Sequence, residues 1–181
     1  MPVPVPVALP ARHPWLRVAD RDWDDPLDPG FAAEHGGRWN PPGSFPTLYL
    51  NQDLATARAQ IHRLLAGWPV DPEDLDPPWV LVTAELPLRQ RAADARTDRG
   101  LAALGLPPTY PLDHEGAEVS HERCQPAGAA VREAGLSGVW CRSAATPSGN
   151  GRELAWFPRA GSAARLVGRP QPFDQWWPER S

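Results

Sequence analysis

Apolar residues recur at helical spacing in one clear stretch, Asp53–Ala66, where Leu54, Ala57, Ile61, Leu64 and Leu65 share a face. Asp53 is a natural N-cap, and Gly67 and Pro69 stop the helix. Elsewhere the pattern is one of short strands. The segment from Trp15 to Pro29 starts as a strand and runs into an acidic, irregular connection. Gly37–Asn40 and Thr47–Asn51 read as two strands joined by a Pro-Pro-Gly turn in which Gly43 can take a positive φ. Side chains alternate along a strand, so this reading puts Arg38 and Asn40 on one face and Trp39 on the other. Trp79–Pro87 is β-branched and aromatic enough for a buried strand. Thr97–Leu104 reads as a short helix, and Gln125–Ala134 as a helix with Pro126 in its first turn and Gly135 just past its end. Gly138–Ala144 and Glu153–Phe157 are two more strands around a Pro/Gly/Ser/Asn loop, while Pro170–Trp177 carries no clear pattern. Strands outnumber helices without regular alternation, which predicts an α+β domain rather than a doubly wound sheet.

A length of 181 residues suits a single domain. The expected division is an extended, Pro-rich arm over 1–14 and one folded domain over 15–181. Apolar residues at 41% and charged residues at 22% are enough for a packed core, and 24 prolines and 15 glycines predict long, turn-rich connections. The alternating Pro and Val residues at the start lack the basic start and continuous apolar run of a signal peptide. No apolar stretch approaches a membrane span, so no membrane contact and a cytoplasmic location are expected. Cys124 and Cys141 are too few and too far apart for a metal knuckle or a disulfide scaffold, which fits a reducing compartment. All 18 basic residues are arginine. The absence of lysine excludes a P-loop, a Schiff base and a lysine general base, and leaves any contact to phosphate to guanidinium groups, which bind it bidentately. A net charge of −4 without a basic run argues against direct nucleic-acid binding.

The stretch GGRWNPPGSFPTLYLNQDLATARAQ resembles the RES domain family, whose name records an Arg, a Glu and a Ser. Gly-x-Arg-Trp-Asn, Pro-Gly, Leu-Tyr-Leu and the Ala-rich helix fall in family order, and GLSGVWCRSA is similar to a second block in which Ser143 takes the serine position. The resemblance implies an ADP-ribosyltransferase-like fold of mixed and antiparallel sheets with flanking helices. It also implies that NAD is the substrate, cleaved at its nicotinamide–ribose bond by hydrolysis or, with inorganic phosphate, by phosphorolysis; transfer of ADP-ribose to a protein is a further family activity. No metal is implied. The family context is a toxin partnered by a helix-turn-helix antitoxin. On this resemblance Arg38 holds the pyrophosphate, Tyr49 stacks on the nicotinamide ring, the Ser143 hydroxyl bonds a phosphate or ribose oxygen, and Asn40 joins them in holding the ligand.

The sequence departs from the family where a helix glutamate is expected, because that position holds Gln60. Gln60 lies on the flank of the apolar stripe near Thr56, where a polar side chain can face a cleft. Cleavage makes the ribose cationic while nicotinamide leaves as a neutral base, so no general acid is needed but a negative charge helps. Losing such a group costs on the order of 10²–10³ in rate. Slow hydrolysis, phosphorolysis and binding without turnover are the three outcomes, and a glutamate at position 60 is expected to restore the charge. Glu153 is a candidate substitute, set against its reading as an exposed strand residue. His114, Glu115, Glu118, His121, Glu122 and Cys124 form a rival cluster; were it helical, His114, Glu118 and His121 would share a face and offer zinc a site for a metal-dependent hydrolase. The spacing matches no zinc motif, so a solvated loop is the expectation. His35, beside the glycines that precede Arg38, is a further phosphate candidate, and core packing accounts for most of the nine tryptophans.

Overall fold

Eight strands and five helices make up a computed structural model that describes residues 3–69, 77–146 and 148–177. The strands are β1 (Pro6–Ala8), β2 (Trp15–Asp20), β3 (Leu48–Asn51), β4 (Trp79–Glu85), β5 (Arg91–Ala95), β6 (Gly138–Arg142), β7 (Arg152–Trp156) and β8 (Arg165–Pro172). They form one sheet in the order β1-β5-β6-β7-β3-β2-β4-β8, antiparallel throughout except for the β5–β6 pair. The helices are α1 (Gly30–His35), α2 (Leu54–Leu64), α3 (Asp98–Ala103), α4 (His121–Glu133) and α5 (Phe173–Trp176). The expected α+β class, with a mixed sheet and flanking helices, is the one observed. No helix among the described residues is long and apolar enough to cross a membrane.

The sheet is strongly curled. Trp15 of β2 and Trp140 of β6 are three places apart in the sheet order, which in a flat sheet means about 14 Å, yet their rings meet edge-on with centroids 5.8 Å apart. One face thus closes on itself around Trp15, Leu48, Leu50, Val82, Leu154 and Trp156. The other face carries Val139, Cys141 and Ala155 and is covered by α3 and α4 through Leu101, Cys124 and Val131. A third cluster joins Ala57, Ile61 and Leu65 of α2 to Leu81 of β4 and to Phe173, Trp176 and Trp177 of the tail.

Several local expectations change. Gly37–Asn40 is a tight bend rather than a strand. α4 begins at His121, four residues before the expected start, so Pro126 lies inside it and one backbone hydrogen bond is forgone. The buried Cys124, Ala127, Gly128 and Val131, spaced as one helical face, hold it in place. In α2, Asp53 caps as expected, its Oδ1 accepting from the Thr56 N–H and hydroxyl at 2.8 Å each, but Leu64 is 59% exposed instead of joining the core. The Pro-rich arm is extended and enters the sheet as edge strand β1 against β5. The tail supplies β8, an edge strand in which Pro170 and Pro172 are tolerated, and α5.

Candidate functional site

The Arg38 loop is built by β3. The Tyr49 hydroxyl accepts the Trp39 N–H at 2.9 Å and donates to Asn40 Oδ1 at 2.7 Å, pinning both residues above the strand. Burial pushes the Tyr49 phenol above its usual pKa, so it remains a donor at neutral pH. A Cβ at Gly37 would overlap the Tyr49 hydroxyl, and Gln125 of α4 donates to the Gly37 carbonyl at 3.0 Å. The glycine before Arg38 is therefore a steric requirement of Tyr49. The bend leaves Arg38 only 7% exposed, with Nη1 donating to the Val119 carbonyl at 2.6 Å and Nη2 to the Glu118 carboxylate.

Glu118 is shared. Arg63 of α2 donates to its two oxygens at 2.7 and 2.8 Å, so one carboxylate ties two guanidinium groups together. Burial alone would raise the Glu118 pKa, but Arg63 and Arg38 hold it below the usual carboxylate range. Burial likewise works against the Arg38 charge, and the surrounding acidic groups outweigh it and hold its pKa above the usual arginine value. Next to this pair His121 is kept below its ordinary pKa by burial and by the Arg38 charge, so it is neutral at pH 7.

A second polar cluster forms around Glu153. β7 places Glu153 opposite Asn51 of β3 and Cys141 of β6. Its Oε1 accepts from the Ser143 hydroxyl at 2.6 Å and from Gln60 Nε2 at 2.8 Å, while Asn51 Nδ2 donates to Gln60 Oε1 at 3.3 Å. Ser143 is 0% exposed and its Oγ also accepts the Ala145 N–H at 3.1 Å.

Both clusters open on one cleft of about 760 Å³, within the size range of small-molecule sites. Arg38, Arg63, His121, Tyr49, Gln60 and Glu153 all line it, and Trp23, Phe31 and Leu64 add exposed apolar groups. Arg38, Tyr49 and Gln60 therefore meet in one site. Asn40 and Ser143, the other expected ligand contacts, are wholly buried: Asn40 Oδ1 accepts from Tyr49 and its Nδ2 donates to the Ala32 carbonyl, and the Ser143 hydroxyl donates to Glu153. Glu153 is half-buried and faces the cleft, which overturns its reading as an exposed strand residue.

The rival cluster does not assemble. Residues 113–120 are not helical, Glu118 turns to the arginines and Cys124 is buried in the core. Among the described residues no group of three His, Cys, Asp or Glu side chains is arranged to hold a metal. His35 Nδ1 lies 3.1 Å from the Phe31 carbonyl and its ring stacks on Phe31, away from the Arg38 guanidinium's partners. Sequence reasoning missed Arg63 as a cleft residue, although its position three residues after Gln60 puts both on one side of α2.

A curled mixed sheet with flanking helices, and a cleft lined by Arg38, Arg63 and Glu153, defines a single mixed α/β domain. Residues 14–177 match the RES domain family, and the chain belongs to it. The fold is shared with a chain in the crystal structure of the M. tuberculosis MbcT–MbcA toxin–antitoxin complex, with a TM-score of 0.69 and 22% identity over 93% of this chain and 89% of that one. No curated protein matches the sequence.

Proposed function

We propose that this RES domain binds NAD in the cleft and cleaves its nicotinamide–ribose bond, acting as the toxin of a toxin–antitoxin pair. The observation that carries this reading is that one cleft is lined by Arg38 and Arg63 together with Tyr49, Gln60 and Glu153. Arg38 already spends one N–H on Val119 and one on Glu118, which fixes its plane and leaves its other donors for a pyrophosphate. Tyr49 offers a ring face for nicotinamide while its hydroxyl stays bonded to the loop. Asn40 and Ser143 act from beneath, holding Tyr49 and Glu153.

Cleavage breaks the bond between the ribose C1′ and the pyridinium nitrogen. The electron pair goes to nitrogen, which leaves as neutral nicotinamide, and positive charge develops on the sugar. A new C1′–O bond forms to water, which releases a proton to solvent, or to inorganic phosphate. The site's work is to position and to stabilise charge. Gln60 in place of the family glutamate favours a second reading, NAD binding without turnover.

The antitoxin partner is supported by the solved relative, which was crystallised in a toxin–antitoxin complex, and by the exposed Trp23, Phe31 and Leu64 around the cleft mouth. The partner expected is a helix-turn-helix protein. Calorimetry tests the ligand: NAD should bind the wild type, and Arg38→Ala should weaken binding by about 1.5–3 kcal/mol, the worth of a charge-assisted hydrogen bond. Equal affinity in both proteins counts against the assignment. Nicotinamide release, with water alone and with added phosphate, separates the two readings.

A further inference from the structure

We propose that the negative charge of the site has moved from helix to strand: Glu153 of β7 does the electrostatic work that the family assigns to the helix position held here by Gln60. The inference rests on the NAD-cleaving reading above and names the residue that stabilises the cationic sugar. Gln60 and Glu153 are in direct contact, Nε2 to Oε1 at 2.8 Å, so the two positions are neighbours in one cleft wall. A charge at either one reaches the same part of the cleft. The amide N–H of Gln60 and the hydroxyl of Ser143 both donate to Oε1, the arrangement an ionised carboxylate accepts. No protein donor reaches Oε2 among the described residues, and Glu153 lines the cleft. Oε1 thus fixes the group and Oε2 is available to the ligand. Ser143 and Gln60 are positioning residues for this carboxylate.

The geometry also changes what a glutamate at position 60 would do. Two carboxylates at hydrogen-bond distance repel, so a second charge set directly beside Glu153 is penalised. Restoring the family residue alone therefore adds little. Moving the charge is the informative experiment.

Nicotinamide release from NAD, with and without phosphate, is measured for the wild type, Glu153→Gln, Gln60→Glu and the double variant Gln60→Glu/Glu153→Gln. Affinity for NAD and the thermal midpoint are followed alongside. Glu153→Gln should lower turnover about 10²–10³-fold while NAD affinity stays within a few-fold and the midpoint is kept. The double variant, which retains one acid and one amide in the pair, should recover turnover to within about tenfold of wild type, and Gln60→Glu alone should fall short of the gain of about 10²–10³-fold that supplying a missing charge would give. A purely structural glutamate would move the midpoint without separating turnover from affinity. Glu153→Gln at the wild-type rate, with Arg38→Ala impaired, overturns the inference and leaves the NAD reading standing. A wild type that binds NAD but releases no nicotinamide in either condition overturns the inference and leaves binding; failure to bind NAD overturns both. Should Glu153→Gln not fold, the double variant decides: turnover near wild type supports the relocated charge, and no turnover in a folded, NAD-binding protein overturns it.

Discussion

Between Arg38 and Arg63, Glu118 sets the charge of one cleft wall and links a loop to a helix 55 residues away in sequence. Its folded pKa is held below the 4.5 of an ordinary glutamate, so the stability it contributes is complete above that pH. That contribution is lost as pH falls through the depressed folded value. The wild type should accordingly lose thermal midpoint more steeply below about pH 4.5 than Glu118→Gln does. Parallel acid limbs for the two proteins would mean that the pair carries no stability. Glu153 lines the same cleft, but its partners are the neutral Ser143 and Gln60 rather than guanidinium groups.

At the scale of elements, α4 shows how a helix places a loop. Its buried face is Cys124, Ala127, Gly128 and Val131, and a Cβ at Gly128 would overlap the Trp39 carbonyl oxygen. The helix backbone thus packs directly on the residue that follows Arg38. In a free helix Gly→Ala gains about 1 kcal/mol. Here Gly128→Ala should instead cost roughly 1–3 kcal/mol by overpacking, and should weaken NAD binding because the Arg38 loop must shift. Urea denaturation reads the sign directly: a more stable variant would contradict the close approach. The same element explains why the His114–Cys124 stretch is no metal site. Its second half is the start of a helix whose Cys124 is spent on the core, and its first half is loop.

At the scale of the whole molecule the site depends on a core that adjoins it through Ile61. α2 sends Gln60 and Arg63 to the cleft and Ile61 and Leu65 into the third cluster, where Phe173, Trp176 and Trp177 of the tail close over it. Arg58 of the same helix donates to the Trp176 carbonyl at 2.7 Å. Trp176, 2% exposed, should cost about 3–5 kcal/mol when cut to alanine, a fall in thermal midpoint of roughly 6–20 °C for a chain of this size. Calorimetric unfolding checks it, and a change under 2 °C would show that the tail is dispensable to the fold.

Local pattern alone determined the elements whose signals are short-range: the Asp53 cap and helical stripe of α2, the short helix α3, the β-branched and aromatic run of β4, and the strands β3, β6 and β7. Local pattern did not bring out Arg38, Tyr49, Gln60 and Ser143, which the resemblance to the RES family supplied. It was silent on β5, whose Arg-Ala-Ala-Asp-Ala sequence has little strand preference and is held by β1 on one side and β6 on the other. What each polar group faces was decided only by the tertiary structure. Arg38 finds Glu118 80 residues on, and Gln60 finds Glu153 93 residues on, through the curl of the sheet and the register of β7 between β3 and β6. Asn40 and Ser143 face inward onto partners close in sequence, Tyr49 nine residues on and Glu153 ten, because a buried polar atom takes whichever partner the packing sets beside it.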